Sequence, residues 1–322
     1  MMPETLDISV LLPVVDEWDQ LETALKSIVS QDFESYEVII RIDGAAQRPN
    51  RVLFEDKHIH WLSGDRIGLA ASLNQMASQA KGGLLLRCDA DDEMLSDRMR
   101  VQYECWKKNP DSLIAGKAQM LAEDGTSFVY GETNVDYVLF LLLLRNPIIH
   151  SSVAMPKKIF EELGGYNESW ELAQDYELWL RWVNKYPLEL MDDVLCRYHH
   201  RLVEGKMEKQ WQLMKELVTN NVSTLLPEWA SQEVYELIAF AGGGGVTRNF
   251  FKYAKAYRLL FEKYSTKENC GEETRERFED FWPYLLGRNV CAMKMSFLSR
   301  LCVVLKYPEI MKAYRFKRIL FD

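Results

Sequence analysis

The sequence is poor in features that mark several protein classes. Its six cysteines are scattered and form no CxxC pair. That spacing argues against a zinc site or a disulfide framework and favours reduced thiols. Long hydrophobic runs are missing. The longest spans only Val138 to Leu144, whereas an α-helix needs about 20 apolar residues to cross a bilayer. The first residues lack the basic-then-apolar layout of a signal peptide, so a cytoplasmic location is expected. Positive charge is not in excess. Lys and Arg number 39 against 48 Asp and Glu, for a net charge of −9. An acidic chain is a poor match for bulk nucleic acid, and none is expected as a partner. Glycine clusters once, at Gly242 to Gly245. No Gly-Lys-Ser/Thr follows and no strand pattern precedes it, so it reads as a helix–helix joint rather than a phosphate loop.

What is present is ordinary globular material, 48% hydrophobic and 27% charged. "ISVLLPVV" (Ile8 to Val15), "YEVIIRID" (Tyr36 to Asp43), "HIHWLS" (His58 to Ser63) and "LLLRCD" (Leu84 to Asp89) read as buried strands. Helical spacing separates them, at Gln20 to Ser30 and Leu69 to Ala80. Strand–helix alternation predicts an α/β fold with a mostly parallel sheet flanked by helices. A helix at Arg98 to Lys108 follows, then strands near Ser112 to Met120 and Glu189 to Tyr198. Beyond about residue 205 long helical patterns take over, so residues 206–322 are expected to form a helical C-terminal region.

Ligands of open α/β sheets sit at the carboxyl ends of strands. Asp43 ends the second strand, and Asp89, Asp91 and Asp92 crowd the end of "LLLRCDADD". Three adjacent carboxylates repel one another unless a cation offsets them. One reading is a solvated helix start with Asp as cap and Arg98 and Arg100 nearby. The other is a hard divalent ion, Mn²⁺ or Mg²⁺. If the strand continues, Asp89 and Asp91 project to one side and form a carboxylate pair for it.

Several stretches, in order, resemble the family 2 glycosyltransferases with a GT-A fold, over roughly residues 6–201. They are "ISVLLPVVDE", "LETALKSIVSQDFESYEVIIRIDGA", "GLAASLNQMASQAKGGLLLRCDADD", "NPIIHSSVAMPKKIFEELGGYNE", "AQDYELWLRW" and "CRYHH". The resemblance implies a GT-A domain over residues 1–205. Residues 1–97 would bind a nucleotide-sugar and 98–205 a glycan or lipid-linked glycan acceptor. It also implies inverting, metal-dependent sugar transfer, with UDP-sugars as the leading donors and a place in bacterial glycan biosynthesis.

By the same resemblance, Pro13, Val15 and Glu17 would line the nucleotide pocket, and Asp43 would bond the base. Gly68 would let a loop approach the donor and Asn74 would brace that loop. Asp89 would face the ribose or the ion, and Asp91 would ligate the metal. His150 would reach the diphosphate, and His199 would complete the metal or phosphate site. Asp175 would be the catalytic base. The family often has Glu-Asp there, whereas this chain has Gln174-Asp175. The alternatives are a sugar-nucleotide nucleotidyltransferase or a non-catalytic binding module. Against the first, "PVVDEWDQ" after strand one contains no glycine. Against the second, the three key aspartates are intact.

The tail is basic in an acidic protein. Between Arg288 and Asp322, eight Lys and Arg residues stand against Glu309 and Asp322. Two readings stay open, a docked helical pair with a solvated basic side and a peripheral contact with an anionic membrane at its inner face.

Overall fold

A computed structural model describes residues 6–15, 18–44, 52–95, 97–122, 125–142 and 145–199, together with residues 213, 216, 217, 271, 272 and 274–277. The expected helical region after residue 205 and the basic tail lie outside the described residues, apart from those few positions. The chain divides into two compact units. One comprises Met1–Val135 and Pro147–Met207, the other Asp136–Asn146 and Glu208–Asp322. Among the described residues, no helix is long and apolar enough to cross a membrane.

In chain order the elements of the first unit are β1 (Ile8–Val14), α1 (Trp18–Val29), β2 (Tyr36–Asp43), β3 (Ile59–Gly64), α2 (Leu69–Gln79), β4 (Leu84–Arg87), β5 (Glu93–Met94), α3 (Arg98–Lys108), β6 (Leu113–Leu121) and β7 (Ser127–Tyr130). After α4 (Val135–Leu141), which falls largely in the other unit, come β8 (Ala154–Pro156), α5 (Lys157–Glu162), α6 (Gln174–Val183) and β9 (Leu188–His199). The strands form one sheet in the order β3-β2-β1-β4-β8-β6-β9-β5, and β7 pairs with β6.

The apolar runs behave as strands covered on both faces. All eight residues of β2 are buried, and so are the four of β4. Leu21, Ala24, Leu25 and Ile28 of α1 recur at helical spacing and are buried, packed into the same core as β1 and β2. Pairing is parallel across β3-β2-β1-β4, and β6 and β9 are also parallel. β8 runs antiparallel to both β4 and β6, β5 to β9 and β7 to β6. The sheet is therefore mixed in its second half, where only the β6–β7 pair is joined by a short connection. At the parallel end, β2, β1 and β4 are adjacent, so Asp43 and the segment after Arg87 flank the carboxyl end of β1.

The turn before the 166–173 segment depends on two glycines. Gly164 has φ +81° and Gly165 φ +69°. A Cβ on Gly165 would lie 2.6 Å from Asn74 Oδ1 and 3.3 Å from the Phe160 ring, whereas one on Gly164 would meet nothing within 4 Å. Gly165→Ala is expected to cost roughly 2–4 kcal/mol, left-handed strain plus a clash. Gly164→Ala should cost only the strain, about 1–2 kcal/mol. Denaturant midpoints of the two variants check this, and equal losses would show that the close approach has no energetic weight.

Candidate active site

A pocket of about 380 Å³ opens at the carboxyl ends of β1, β2 and β4. That is within the usual range for small-molecule sites. Pro13, Val14 and Val15 line it from β1, Asp43 from β2, and Arg66, Gly68, Leu69 and Ser72 from the start of α2. Asp89, Ala90 and Asp91 follow β4, and Glu171, Leu172 and Gln174 approach from the segment before α6. Of the residues singled out in the sequence, Pro13, Val15, Asp43, Gly68, Asp89 and Asp91 meet here. Glu17 lies outside the described residues.

Asp43 is held from three sides. Its Oδ1 accepts from Arg41 Nη1 at 2.7 Å and from the Ile67 amide at 2.8 Å, and its Oδ2 accepts from the Gly68 amide at 3.1 Å. Burial pushes its carboxyl up, but these two amides and the Arg41 guanidinium outweigh burial and hold it below the ordinary carboxylate value. Asp43 thus presents an ionised acceptor to the pocket.

The acidic cluster is not arranged by strand alternation. β4 ends at Arg87, and the amide of Asp92 turns back to the carbonyl of Asp89. This turn, rather than a continuation of the strand, brings one ligand atom from each of Asp89, Asp91 and Asp92 within 4.8 Å of one another. The charge is offset from below. Arg87, 1% exposed, pairs its Nη2 with Asp89 Oδ1 and donates Nη1 to Ser151 Oγ at 3.0 Å. Its nearness to Asp89 raises the Arg87 pKa against the pull of burial, so the guanidinium stays charged. Ser151 Oγ also contacts Asp89 Oδ2 at 3.2 Å and Asp92 Oδ2. Asp92 is 1% exposed and accepts the His199 amide at 3.0 Å on Oδ1. Burial, then the charge of Asp89, raises its carboxyl to about 8. Part of the repulsion is thus met by an internal arginine, while burial beside Asp89 holds the Asp92 carboxyl above the ordinary carboxylate range.

These donors suit a divalent cation. Three hard carboxylate oxygens converge, and their negative charge is only partly compensated. Asp91 and Asp89 are the residues that would hold such an ion. His199 joins the cluster through its backbone amide. Its Nδ1 is buried with no hydrogen-bond partner among the described residues, and its ring is not one of the three converging groups.

Asn74 stands behind the wall. It donates to the Tyr166 carbonyl at 2.8 Å and to Glu168 Oε1 at 2.9 Å, and its Oδ1 accepts the Tyr166 amide at 2.8 Å. It ties α2 to the 166–168 segment. His150 Nε2 shares a 2.8 Å hydrogen bond with the Tyr166 hydroxyl, and its ring packs edge-on against Trp179. Burial, aided by Arg87, lowers its pKa well below the usual imidazole value and keeps it neutral.

Asp175 is the second residue of α6 rather than its cap. The cap position is Ala173, at φ 59° and without a side-chain bond. Next to Asp175, Gln174 lines the pocket. The phenols of Tyr166 and Tyr198 are raised above their ordinary value, first by burial, and the charges of Asp89 and Asp175 add to both. Asp175 and the acidic cluster therefore act on the same two rings. Glu177 is engaged by Arg181, at 2.7 Å and 2.6 Å. Arg181 also holds the carbonyls of Leu163 and Gly165, at 2.5 Å and 2.7 Å.

Sequence reasoning missed Ser151, and did not anticipate that Arg87 faces the cluster. The available signal was Arg87 itself, a charge inside an apolar strand, which requires a buried partner. Ser151→Ala leaves Arg87 and Asp92 each short of a partner and should cost about 1–3 kcal/mol. Chemical denaturation measures this, and wild-type stability would mean that another group satisfies Asp92.

Carboxylates at the adjacent carboxyl ends of parallel strands, facing one pocket, define an α/β domain with an acidic cleft at its sheet edge. Residues 9–160 match Glycosyl transferase family 2, and this part of the chain is a family 2 glycosyltransferase domain. An uncharacterized glycosyltransferase of Rickettsia felis is 26% identical over 209 residues, covering 62% of this chain and 35% of the relative. The chain thus spans about a third of that relative's length. The O-antigen biosynthesis glycosyltransferase WbnJ of Escherichia coli is 22% identical over 213 residues, 63% of this chain and 83% of WbnJ. Among solved structures, S. aureus TarS 1-349 in complex with UDP-GlcNAc superposes with a TM-score of 0.54 at 14% identity, over 96% of this chain and 89% of TarS 1-349. That likeness establishes a GT-A-like fold.

Proposed function

We propose that the protein is a metal-dependent inverting glycosyltransferase that moves a sugar from a nucleotide-sugar, a UDP-sugar first, to a hydroxyl of a glycan or lipid-linked glycan. The reading rests on one observation: a single pocket is lined both by Asp43, Asp89 and Asp91 and by Glu171, Leu172 and Gln174 from the segment leading into α6. It is supported by the TarS structure with UDP-GlcNAc and by the O-antigen role in the name of WbnJ.

In this reading Asp43 accepts an N–H of the base, and Pro13 and Val15 bound the nucleoside. Asp91 and Asp89 hold Mn²⁺ or Mg²⁺, which supplies charge neutralisation on the leaving diphosphate. Asn74, by fixing Tyr166 and Glu168, holds the acceptor side against the donor side. Asp175 takes the proton of the acceptor hydroxyl. The oxygen then forms its bond to the anomeric carbon as the bond to the diphosphate breaks on the opposite face, and the single displacement inverts the centre.

A panel of UDP-, GDP- and dTDP-sugars, incubated with the full chain and Mn²⁺, tests this. Slow release of a nucleoside diphosphate from a UDP-sugar, abolished by chelator, is expected. No release and no binding from any donor would overturn it.

A further inference from the structure

Arg41 lies inside β2 and is 2% exposed. A guanidinium there is costly unless its donors are met. Its Nε donates to Gln75 Oε1 on α2 at 2.5 Å, and its Nη2 to the Asp65 carbonyl at 2.9 Å. Its Nη1 donates to the Ile42 carbonyl at 3.2 Å and to Asp43 Oδ1 at 2.7 Å. One side chain therefore locks β2, the 64–68 segment and α2 together beneath the pocket. It does not itself line the pocket.

The consequence falls on Asp43. A carboxylate oxygen offers about two acceptor sites. Oδ1 already takes Arg41 and the Ile67 amide, while Oδ2 takes the Gly68 amide, with the Ser72 hydroxyl near the carboxylate as a rotatable donor that an incoming N–H can replace. Asp43 therefore has acceptor capacity left at one oxygen and not at both. Nucleobases differ in what they bring to a carboxylate. Uracil and thymine present one imide N–H between two carbonyls. Guanine presents two adjacent N–H donors that pair with both oxygens at once.

We propose that Arg41 is a positioning residue for nucleobase choice: by occupying Oδ1 it makes Asp43 a single-acceptor reader, which favours a uracil or thymine nucleotide over a guanine one. The inference rests on the nucleotide-sugar reading above. It concerns a residue that touches no substrate and acts through Asp43.

The charged and titratable groups lining the same pocket are Arg66 before α2, Asp89 and Asp91 after β4, and Glu171 before α6, with the Ser72 hydroxyl on α2. Arg41 is the cation that bonds Asp43 directly. Without it the Asp43 carboxyl loses one of the groups that hold its titration down, and it titrates higher than in the wild type. A protonated Asp43 is a poorer acceptor, so UDP affinity should then begin to fall at a higher pH as the solution is acidified.

The experiment is calorimetric titration of the full chain with UDP and with GDP, in Mn²⁺, across a pH series. Wild type should prefer UDP and hold its affinity down to the ordinary carboxylate range. Arg41→Met should narrow the UDP-to-GDP ratio by about tenfold and shift the acid limb upward. Arg41→Lys keeps the charge but not the fork, so the ratio should narrow while the acid limb stays near wild type. Gln75→Ala, on an exposed helix position, should narrow the ratio in the same direction by less. Equal losses for UDP and GDP with an unmoved acid limb would make Arg41 merely structural and overturn the proposal. If Arg41→Met does not fold, an unchanged ratio in both Arg41→Lys and Gln75→Ala overturns it. Wild type preferring GDP overturns it and leaves the nucleotide-sugar reading standing. Wild type binding neither nucleotide removes that reading and this inference together.

Discussion

Asp175→Asn is expected to lower the transfer rate about 10²- to 10⁴-fold, or roughly 3–5 kcal/mol of barrier, while donor affinity stays within a few-fold of wild type. The amide keeps the shape of the side chain but does not accept the acceptor's proton. On the donor side, Asp43 and Asp89 are held by Arg41, Arg87 and Ser151, through bonds that do not involve Asp175. Because Ala173 occupies the cap position of α6, the substitution removes no helix cap, and stability should persist. Transfer rate and UDP-sugar affinity, measured on the same variant, decide it. Near-normal turnover would place the base elsewhere. Glu171, which lines the pocket, is then the next residue, since both oxygens of Glu177 are held by Arg181.

Asp91→Ala should abolish metal-dependent nucleotide binding and leave the fold intact. Arg87 and Ser151 serve Asp89 and Asp92, so these contacts survive the substitution. Removing a like charge from the cluster should leave the metal-free protein as stable as wild type or slightly more so. Loss of supporting groups alone costs about 10- to 100-fold in metal affinity, and loss of a ligand should exceed that. The readout is the melting shift produced by UDP with Mn²⁺. A wild-type shift in the variant would reduce the cluster to a turn held by Arg87 and Ser151.

The elements that position the pocket were legible because their signals are local. Strands covered on both faces read as unbroken apolar runs, and β1, β2 and β4 fall on "ISVLLPV", "YEVIIRID" and "LLLR". α1 announced itself through Leu21, Ala24, Leu25 and Ile28 at helical spacing. β8 was hidden inside "NPIIHSSVAMP". A three-residue strand has too few positions to show a period, and what makes it a strand is its place between β4 and β6.

By itself the sequence determined the α/β class, the succession of its central strands along the chain and the presence of Asp43 and the Asp89–Asp92 run at their ends, because hydrophobic period and chain direction are properties of neighbouring residues. Only the tertiary structure decided how those carboxylates are held. The Arg87–Ser151 bond joins residues 64 apart in sequence, and Asn74 reaches Tyr166 across 92. The turn that gathers Asp89, Asp91 and Asp92, the arginine that offsets them and the arginine that occupies one oxygen of Asp43 all arise from desolvation. A buried charge must find a partner wherever the fold supplies one, and no local pattern records which partner that is.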